Sequence, residues 1–291
     1  MVTDRKRLLL SYGQHNIFLE DFHNYTQRLS NERKASSMNS TTNINTSSTQ
    51  AAYTISSVIS KDGTTIGYRQ IGHGPGLIML HGANVSGSDF TQLAEALADI
   101  FTVYLPDRRG RGLSGPFSKA YSIQEEVEDL TALVNKTGAH LLYGVSAGGL
   151  ISLQAALSLP GIEKIALYEP AILTDGTAHT AWLARFDQEM AEGKVAAALV
   201  TCMKGLELGG PVMNAMPNWL LESLTNATMK SEDKKAKPED ITMRKLAPTL
   251  HYDGLLLAEM SGKLESFRAV NAEVLLLVGQ LSRSLPFAEK G

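Results

Sequence analysis

Ser146 is the side chain of this sequence best placed to do chemistry. It stands in Gly144-Val145-Ser146-Ala147-Gly148, directly after the apolar run His140–Tyr143 and before the Ala/Leu-rich stretch that opens at Ala147. A Gly-x-Ser-x-Gly between a strand and a helix is the sequence form of a nucleophile elbow, a turn so tight that the serine is strained and its oxygen exposed. Glycines at 144 and 148 suit such a turn, because side chains there would collide where strand and helix come close. A serine hydroxyl is a poor nucleophile until a neighbouring base takes its proton. Earlier in the chain, His81-Gly82-Ala83 ends an apolar run at a turn. An amide at Ala83 and the amide of Ala147, at the start of the helix after the serine, converge as donors to a developing oxyanion. His81 itself reads as a structural residue bracing that turn.

Positioning these groups requires a sheet. Residues 76–82 (GLIMLHG), 102–106 (TVYLP), 140–144 (HLLYG), 164–170 (KIALYEP) and 273–279 (EVLLLVG) are continuous apolar runs, the mark of strands buried on both faces. Between them, 88–100 and 122–137 read as helices, the first capped by Ser88 or Asp89, the second by a Ser122/Glu125 capping box. Lys61-Asp62-Gly63 between two β-rich runs predicts a hairpin. Strands alternating with helices imply an α/β fold, a doubly wound, mostly parallel sheet covered on both faces.

Four regions follow. Residues 1–52 hold the Ser/Thr/Asn-rich stretch 30–50 and read as a disordered tail, with Met38 as an alternative start. Residues 53–173 form the α/β core. Residues 174–250 are an inserted helical cap, in which the charged run 230–240 (KSEDKKAKPED) reads as a solvated linker. Residues 251–291 return to the core with the last strand and a short tail.

The order of these pieces, HG at 81–82, DRRGRGLSG at 107–115, the elbow at 144–149 and YEP at 168–170, resembles the α/β-hydrolase superfamily, in particular its small capped serine-hydrolase, esterase-like members. The resemblance implies Ser146 as nucleophile, Ala83 and Ala147 as oxyanion-hole donors, and a substrate that is a small ester, thioester or lactone, with secondary metabolism as a setting. A serine at the elbow argues against dehalogenase and epoxide-hydrolase chemistry, which use a carboxylate nucleophile. The family's acid follows the strand that here is EVLLLVG, and its histidine follows one more strand and loop. After Gly279 the sequence reads QLSRSLPFAEKG, with no aspartate and no histidine. On this reading the fold is C-terminally truncated and lacks the segment with the catalytic acid and histidine. Glu169 is the candidate substitute acid, with Asp175 behind it. His251, His179 or a second subunit are the sources left for a base. The rival reading is a non-catalytic, hydrolase-like ligand-binding protein or a truncated inactive product.

Composition narrows the remaining classes. A net charge of −3 gives no electrostatic reason to expect nucleic acid or an anionic membrane as partner, and no apolar run is long enough to span a bilayer. The single cysteine, Cys202, pairs with nothing in the chain and suits a reducing compartment, so a cytoplasmic protein acting on a small molecule is the expectation. No cofactor is expected: Gly110-x-Gly112-x-x-Gly115 matches a dinucleotide fingerprint in form only, because no helix opens inside it. No metal is expected either, since the seven histidines contain no i,i+4 pair.

Overall fold

A computed structural model describes residues 53–173, 181–208, 210–238 and 240–278. The tail expected over 1–52, the candidates Asp175 and His179, and the stretch from 279 onward lie outside them.

Seven strands form one sheet: β1 (Thr54–Ile59), β2 (Thr65–Gly72), β3 (Gly76–Leu80), β4 (Thr102–Pro106), β5 (Leu141–Val145), β6 (Lys164–Tyr168) and β7 (Glu273–Leu277), in the order β1-β2-β4-β3-β5-β6-β7. β1 and β2 pair antiparallel, with Ile59 opposite Thr65, through the expected turn at Lys61–Gly63. There the Asp62 carboxylate accepts the Thr64 N–H at 2.9 Å. β2 is antiparallel to β4, and every pair from β4 across to β7 is parallel. The doubly wound, mostly parallel sheet read from the sequence is therefore present.

Alternation along the strands builds two cores. On β3, Ile78 and Leu80 join Leu142, Ile165 and Leu167 on one face, whereas Met79 joins Val103 and Leu105 on the other. The first face is covered by α2 (Ile123–Thr137) and α3 (Ala147–Ser158), the second by α1 (Thr91–Leu97). The central apolar runs carry no alternation of their own because both faces are buried, whereas β7, at the edge of the described sheet, has no buried residue and Leu276 is exposed, contrary to the reading of its run.

The helix signals are met in altered form. The segment before α1 starts at Ser86, not Ser88 or Asp89: Asp89 is the acceptor, taking the Ser86 N–H at 2.7 Å. Ser86 is the residue in extended backbone, so its amide is the one left to be satisfied. Ser122 stands at the N-cap position of α2, but its side chain makes no capping hydrogen bond and no capping box closes. Glu125 turns instead to Arg109 at 3.0 Å and the Ser118 hydroxyl at 2.9 Å, because a guanidinium binds a carboxylate more strongly than a neutral N–H does. The Ile123 N–H is satisfied by Glu259 from the far end of the chain at 2.9 Å.

Beyond β6 the helices α4 (Ala181–Ala191), α5 (Val195–Gly205), α6 (Gly210–Ala215), α7 (Asn218–Lys235), α8 (Met243–Leu246) and α9 (Leu250–Met260) precede β7. The run 230–235, read as linker, is the last turn and a half of α7. Lys and Glu are good helix formers, the two terminal lysines suit the negative end of the helix dipole, and Asp233 pairs with Arg244 at 2.9 Å. Trp182, Phe186, Ala198, Cys202 and Leu250 form a third, separate apolar cluster. Helix α9 bridges clusters: Leu250 belongs to this one, while Leu256, Leu257 and Met260 belong to the main core. Burial pushes the Cys202 thiol up to about 12, so it stays a neutral packing residue. No helix among the described residues is long and apolar enough to cross a membrane.

Candidate active site

Ser146 sits between the end of β5 and the first turn of α3 with φ 51° and ψ −118°. A side chain at positive φ costs of order 1–3 kcal/mol and persists only where its surroundings hold it. They do. The Ser146 N–H donates to Tyr168 O at 3.1 Å, and its carbonyl accepts from Gly149 at 2.9 Å, Leu150 at 3.2 Å and Ala171 at 3.1 Å. β6 and the turn after it thus clamp the backbone from one side and α3 from the other. The glycines read from the sequence are necessary at the places where strands and helix meet. A Cβ on Gly144 would lie 2.6 Å from Gly148 O, and one on Gly148 would run into the carbonyls of Leu80 and His81.

The His81-Gly82-Ala83 turn comes against the serine. A Cβ on Gly82 would stand 3.1 Å from the Ser146 Cβ and 3.7 Å from its Oγ. His81 is fully buried. The Arg108 N–H donates to its Nε2 at 3.0 Å, so the ring proton is on Nδ1, which donates to Gly82 O at 2.9 Å. That carbonyl belongs to the same planar trans peptide as the Ala83 N–H, so holding one end aims the other in the opposite direction. Next to Ser146, the amides of Ala147 and Gly148 precede the first i→i−4 bond of α3 and carry the positive end of its dipole.

Burial, then the positive charges of Arg111 and Arg108, hold the His81 imidazole well below its usual range and neutral. The pH dependence follows. A histidine depressed on folding contributes its stability fully above its unfolded value of 6.5, and that contribution is lost as pH falls below it. Stability is expected to fall by about 1.4 kcal/mol per pH unit over that stretch from this residue. Urea titrations of the wild type and His81→Gln between roughly pH 7 and 5 check it: the variant should lack this component of the slope.

The loop 107–115 is a scaffold for the turn. Asp107 is buried, and its carboxylate accepts the Gly87 N–H at 2.8 Å, the Leu113 N–H at 2.9 Å and Arg69 Nη1 at 3.0 Å. The Ser114 hydroxyl closes back onto Asp107 O. Phe117 packs on Gly110, and a Cβ on Gly112 would overlap the Asp107 carboxylate. The glycines of the formal dinucleotide pattern are spent on this internal packing. All three arginines are buried: Arg109 is paired with Asp129 at 2.6 Å, and Arg108 with Glu126 at 2.7 Å and Asp253 at 2.9 Å. Arg111 shares Asp253 at 2.6 Å.

Among the other sequence candidates, Glu169 follows β6 in the turn that grips the elbow, with φ 44° and its N–H donating to Leu277 O at 3.0 Å. His251 is paired through Nδ1 with Asp187 at 2.8 Å, joining α9 to α4, and is not brought to Ser146 Oγ. No side chain among the described residues is hydrogen-bonded to that oxygen. Ala83 packs against the Trp182–Phe186–Leu250 cluster, so helices of the inserted segment lie against the turn. A groove of about 590 Å³ opens elsewhere, between β1 and α2, lined by Val58, Lys61, Glu128 and Lys136 among others. None of its residues belongs to the elbow or the HG turn. Asp253 and Glu126 are the residues sequence reading passed over. Their pairing with Arg108 joins residues far apart in the chain, and no local pattern marks either acid.

Comparison with known proteins gives the family and the fold. The pattern of the "Alpha/beta hydrolase family" matches residues 77–288. A pimeloyl-[acyl-carrier protein] methyl ester esterase of Xanthomonas axonopodis pv. citri is 29% identical over 220 residues, covering 75% of this chain and 81% of the relative. An alpha/beta hydrolase from Sphaerobacter thermophilus superposes with a TM-score of 0.62 at 29% identity, covering 77% of this chain and 82% of the other. A thermophilic esterase from Thermogutta terrifontis superposes at 0.55 with 18% identity, over 78% and 80% of the two chains, a likeness of fold alone.

Proposed function

This chain belongs to the alpha/beta hydrolase family, and on that premise we propose that it is a serine hydrolase of small acyl esters, with thioesters and lactones within the same chemistry. The observation that carries the reading is the strained Ser146, clamped by four backbone hydrogen bonds and set against the Gly82–Ala83 turn. Strain held so tightly at a serine has a chemical use: it presents Oγ ahead of the helix dipole. In this reading Oγ attacks the ester carbonyl, and the oxyanion is received by the N–H groups of Ala83 and Ala147. The alcohol leaves, and water releases the acid from the acyl-serine. In this reading a base takes the serine proton and returns it to the departing alcohol, and Glu169, in the turn beside the elbow, is the acid that orients that base.

The surroundings of the turn are apolar, with Ala83 packed against the cluster of Trp182, Phe186 and Leu250, which favours an uncharged acyl group. The relative that cleaves an acyl methyl ester supports an ester with a small alcohol. A small-molecule substrate, a cytoplasmic location and a role in secondary metabolism complete the proposal; a single buried thiol suits a reducing compartment.

The second reading, a hydrolase-like protein that binds its ligand without turnover, draws on one observation: among the described residues no side chain holds Ser146 Oγ. A fluorophosphonate probe separates the two. Mass-spectrometric mapping of the probe to the peptide containing Ser146, together with release of p-nitrophenolate from short acyl esters, is the expected result. An unlabelled, folded protein would favour the binding reading.

A further inference from the structure

We propose that Asp253 is a positioning residue that couples the seating of helix α9 to the orientation of the Ala83 amide. The inference rests on the reading of Ala83 as an oxyanion donor, and it adds a control point 170 residues away in sequence (253 − 83 = 170).

Each link is a contact in the structure. The Asp253 carboxylate is buried and divided between two guanidiniums, with Oδ1 taking Arg108 Nη1 at 2.9 Å and Oδ2 taking Arg111 Nη2 at 2.6 Å. Arg108 is the residue whose backbone N–H fixes His81 through Nε2, and His81 in turn holds the peptide that carries the Ala83 N–H. A side-chain anchor at Asp253 thereby sets where the Arg108 backbone stands, and the imidazole passes that placement on as the angle of one peptide plane.

Two further observations tie the anchor to the seating of α9. First, α9 straddles two clusters, with Leu250 among the helices of the inserted segment and Leu256 and Leu257 in the main core. Asp253 lies between these ends. Second, α9 is in tight contact with α4: a Cβ on Gly254 would lie 3.0 Å from Leu183 Cδ1 and 3.2 Å from the Trp182 ring. Trp182 belongs to the cluster against which Ala83 packs. The oxyanion donor keeps its catalytic direction while α9 is seated, which pre-aligns the hydrogen bond for the transition state.

Asp253→Asn is the direct test. Glu126 and the Tyr121 hydroxyl remain on Arg108, at 2.7 Å and 3.3 Å, so the buried guanidinium keeps a carboxylate partner while its tie to α9 is weakened. The second variant, Gly254→Ala, crowds the α9–α4 contact at Leu183 and Trp182 without touching a charge and gains helix propensity. Both are made in the full chain. With 13C′-glycine and 15N-alanine, only the Gly82–Ala83 and Gly138–Ala139 peptides give correlated amide signals, so Ala139 is an internal control. 15N-histidine labelling reads the His81 tautomer.

The expected result in each folded variant is a displaced or broadened Ala83 signal, an altered His81 signal and an unmoved Ala139. Phosphonylation of Ser146 by a p-nitrophenyl phosphonate should slow by about 10-fold, less than the roughly 10²–10³ that deleting a whole oxyanion donor costs. Its concentration for half-saturation should hold. A folded Asp253→Asn with wild-type Ala83 and His81 signals overturns the proposal. Should Asp253→Asn not fold, an unmoved His81 signal in Gly254→Ala overturns it. Displaced signals in a wild-type chain that resists phosphonylation would uphold the coupling and reject the hydrolase reading instead.

Discussion

Ser146→Ala is expected to abolish ester turnover, by at least about 10³-fold, while leaving the stability of the fold within about 1 kcal/mol of wild type. The reasoning separates the oxygen from the backbone. The hydroxyl is the nucleophile, so its removal leaves only substrate binding and oxyanion donors, which cannot form the acyl intermediate. The strain at φ 51° arises from a Cβ at positive φ, and alanine keeps that Cβ. Nothing is therefore relieved. Ser146→Gly makes the complementary case: it is equally inactive, yet glycine tolerates the backbone, so the gain from lost strain of about 1–3 kcal/mol exceeds the glycine entropy cost of about 0.5–1. Urea denaturation of the two variants beside p-nitrophenyl ester assays provides the check. An alanine variant that retains turnover would remove Ser146 from the chemistry, and a glycine variant no more stable than wild type would show that the backbone stores no strain.

Such a separation was partly visible before any coordinates. The strands of the sheet could be read because central strands buried on both faces need unbroken apolar residues, as in GLIML; EVLLL carries the same pattern although none of its residues is buried among the described residues and Leu276 is exposed. The elbow could be read because only glycine fits the close approaches at 144 and 148. What stayed hidden was long range. The pairing of Arg108 with Asp253 spans 145 positions, and nothing local distinguishes Asp253 from a surface acid on a helix. Three arginines in DRRGR look like a solvated charged loop, whereas in the fold each has carboxylates to neutralise it and all are buried. The stretch 230–235 shows the opposite error. Its charge looked like a linker, but charge on an exposed helix face is no obstacle to helix, and Met243 N–H on Glu232 at 3.0 Å ties it down. The Ser122/Glu125 box failed for a related reason, since a tertiary cation drew away the glutamate that local spacing had assigned to the cap.

The second large effect lies at Gly148. Gly148→Ala is expected to destabilise the protein by about 2–4 kcal/mol and to remove activity, although alanine is the better helix former. In the interior of an exposed helix this exchange would gain up to about 1 kcal/mol. Here the new methyl would meet the Leu80 carbonyl and stand 2.7 Å from His81 O, and these are backbone atoms at the end of a central strand, not the flexible ends of side chains. Neither partner can swing aside. Either α3 is pushed off the sheet, which loosens the clamp on Ser146, or the end of β3 moves and takes the His81–Ala83 turn with it. Both routes separate the nucleophile from its oxyanion donors, so activity should fall further than stability alone explains. Gly161→Ala supplies the contrast, because a Cβ there meets nothing within 4 Å. That variant should be neutral or up to about 1 kcal/mol more stable through the loss of unfolded-state entropy, with full activity. If Gly148→Ala behaves like Gly161→Ala in both denaturation and ester turnover, then the close approach of α3 to β3 is not what holds the elbow in place.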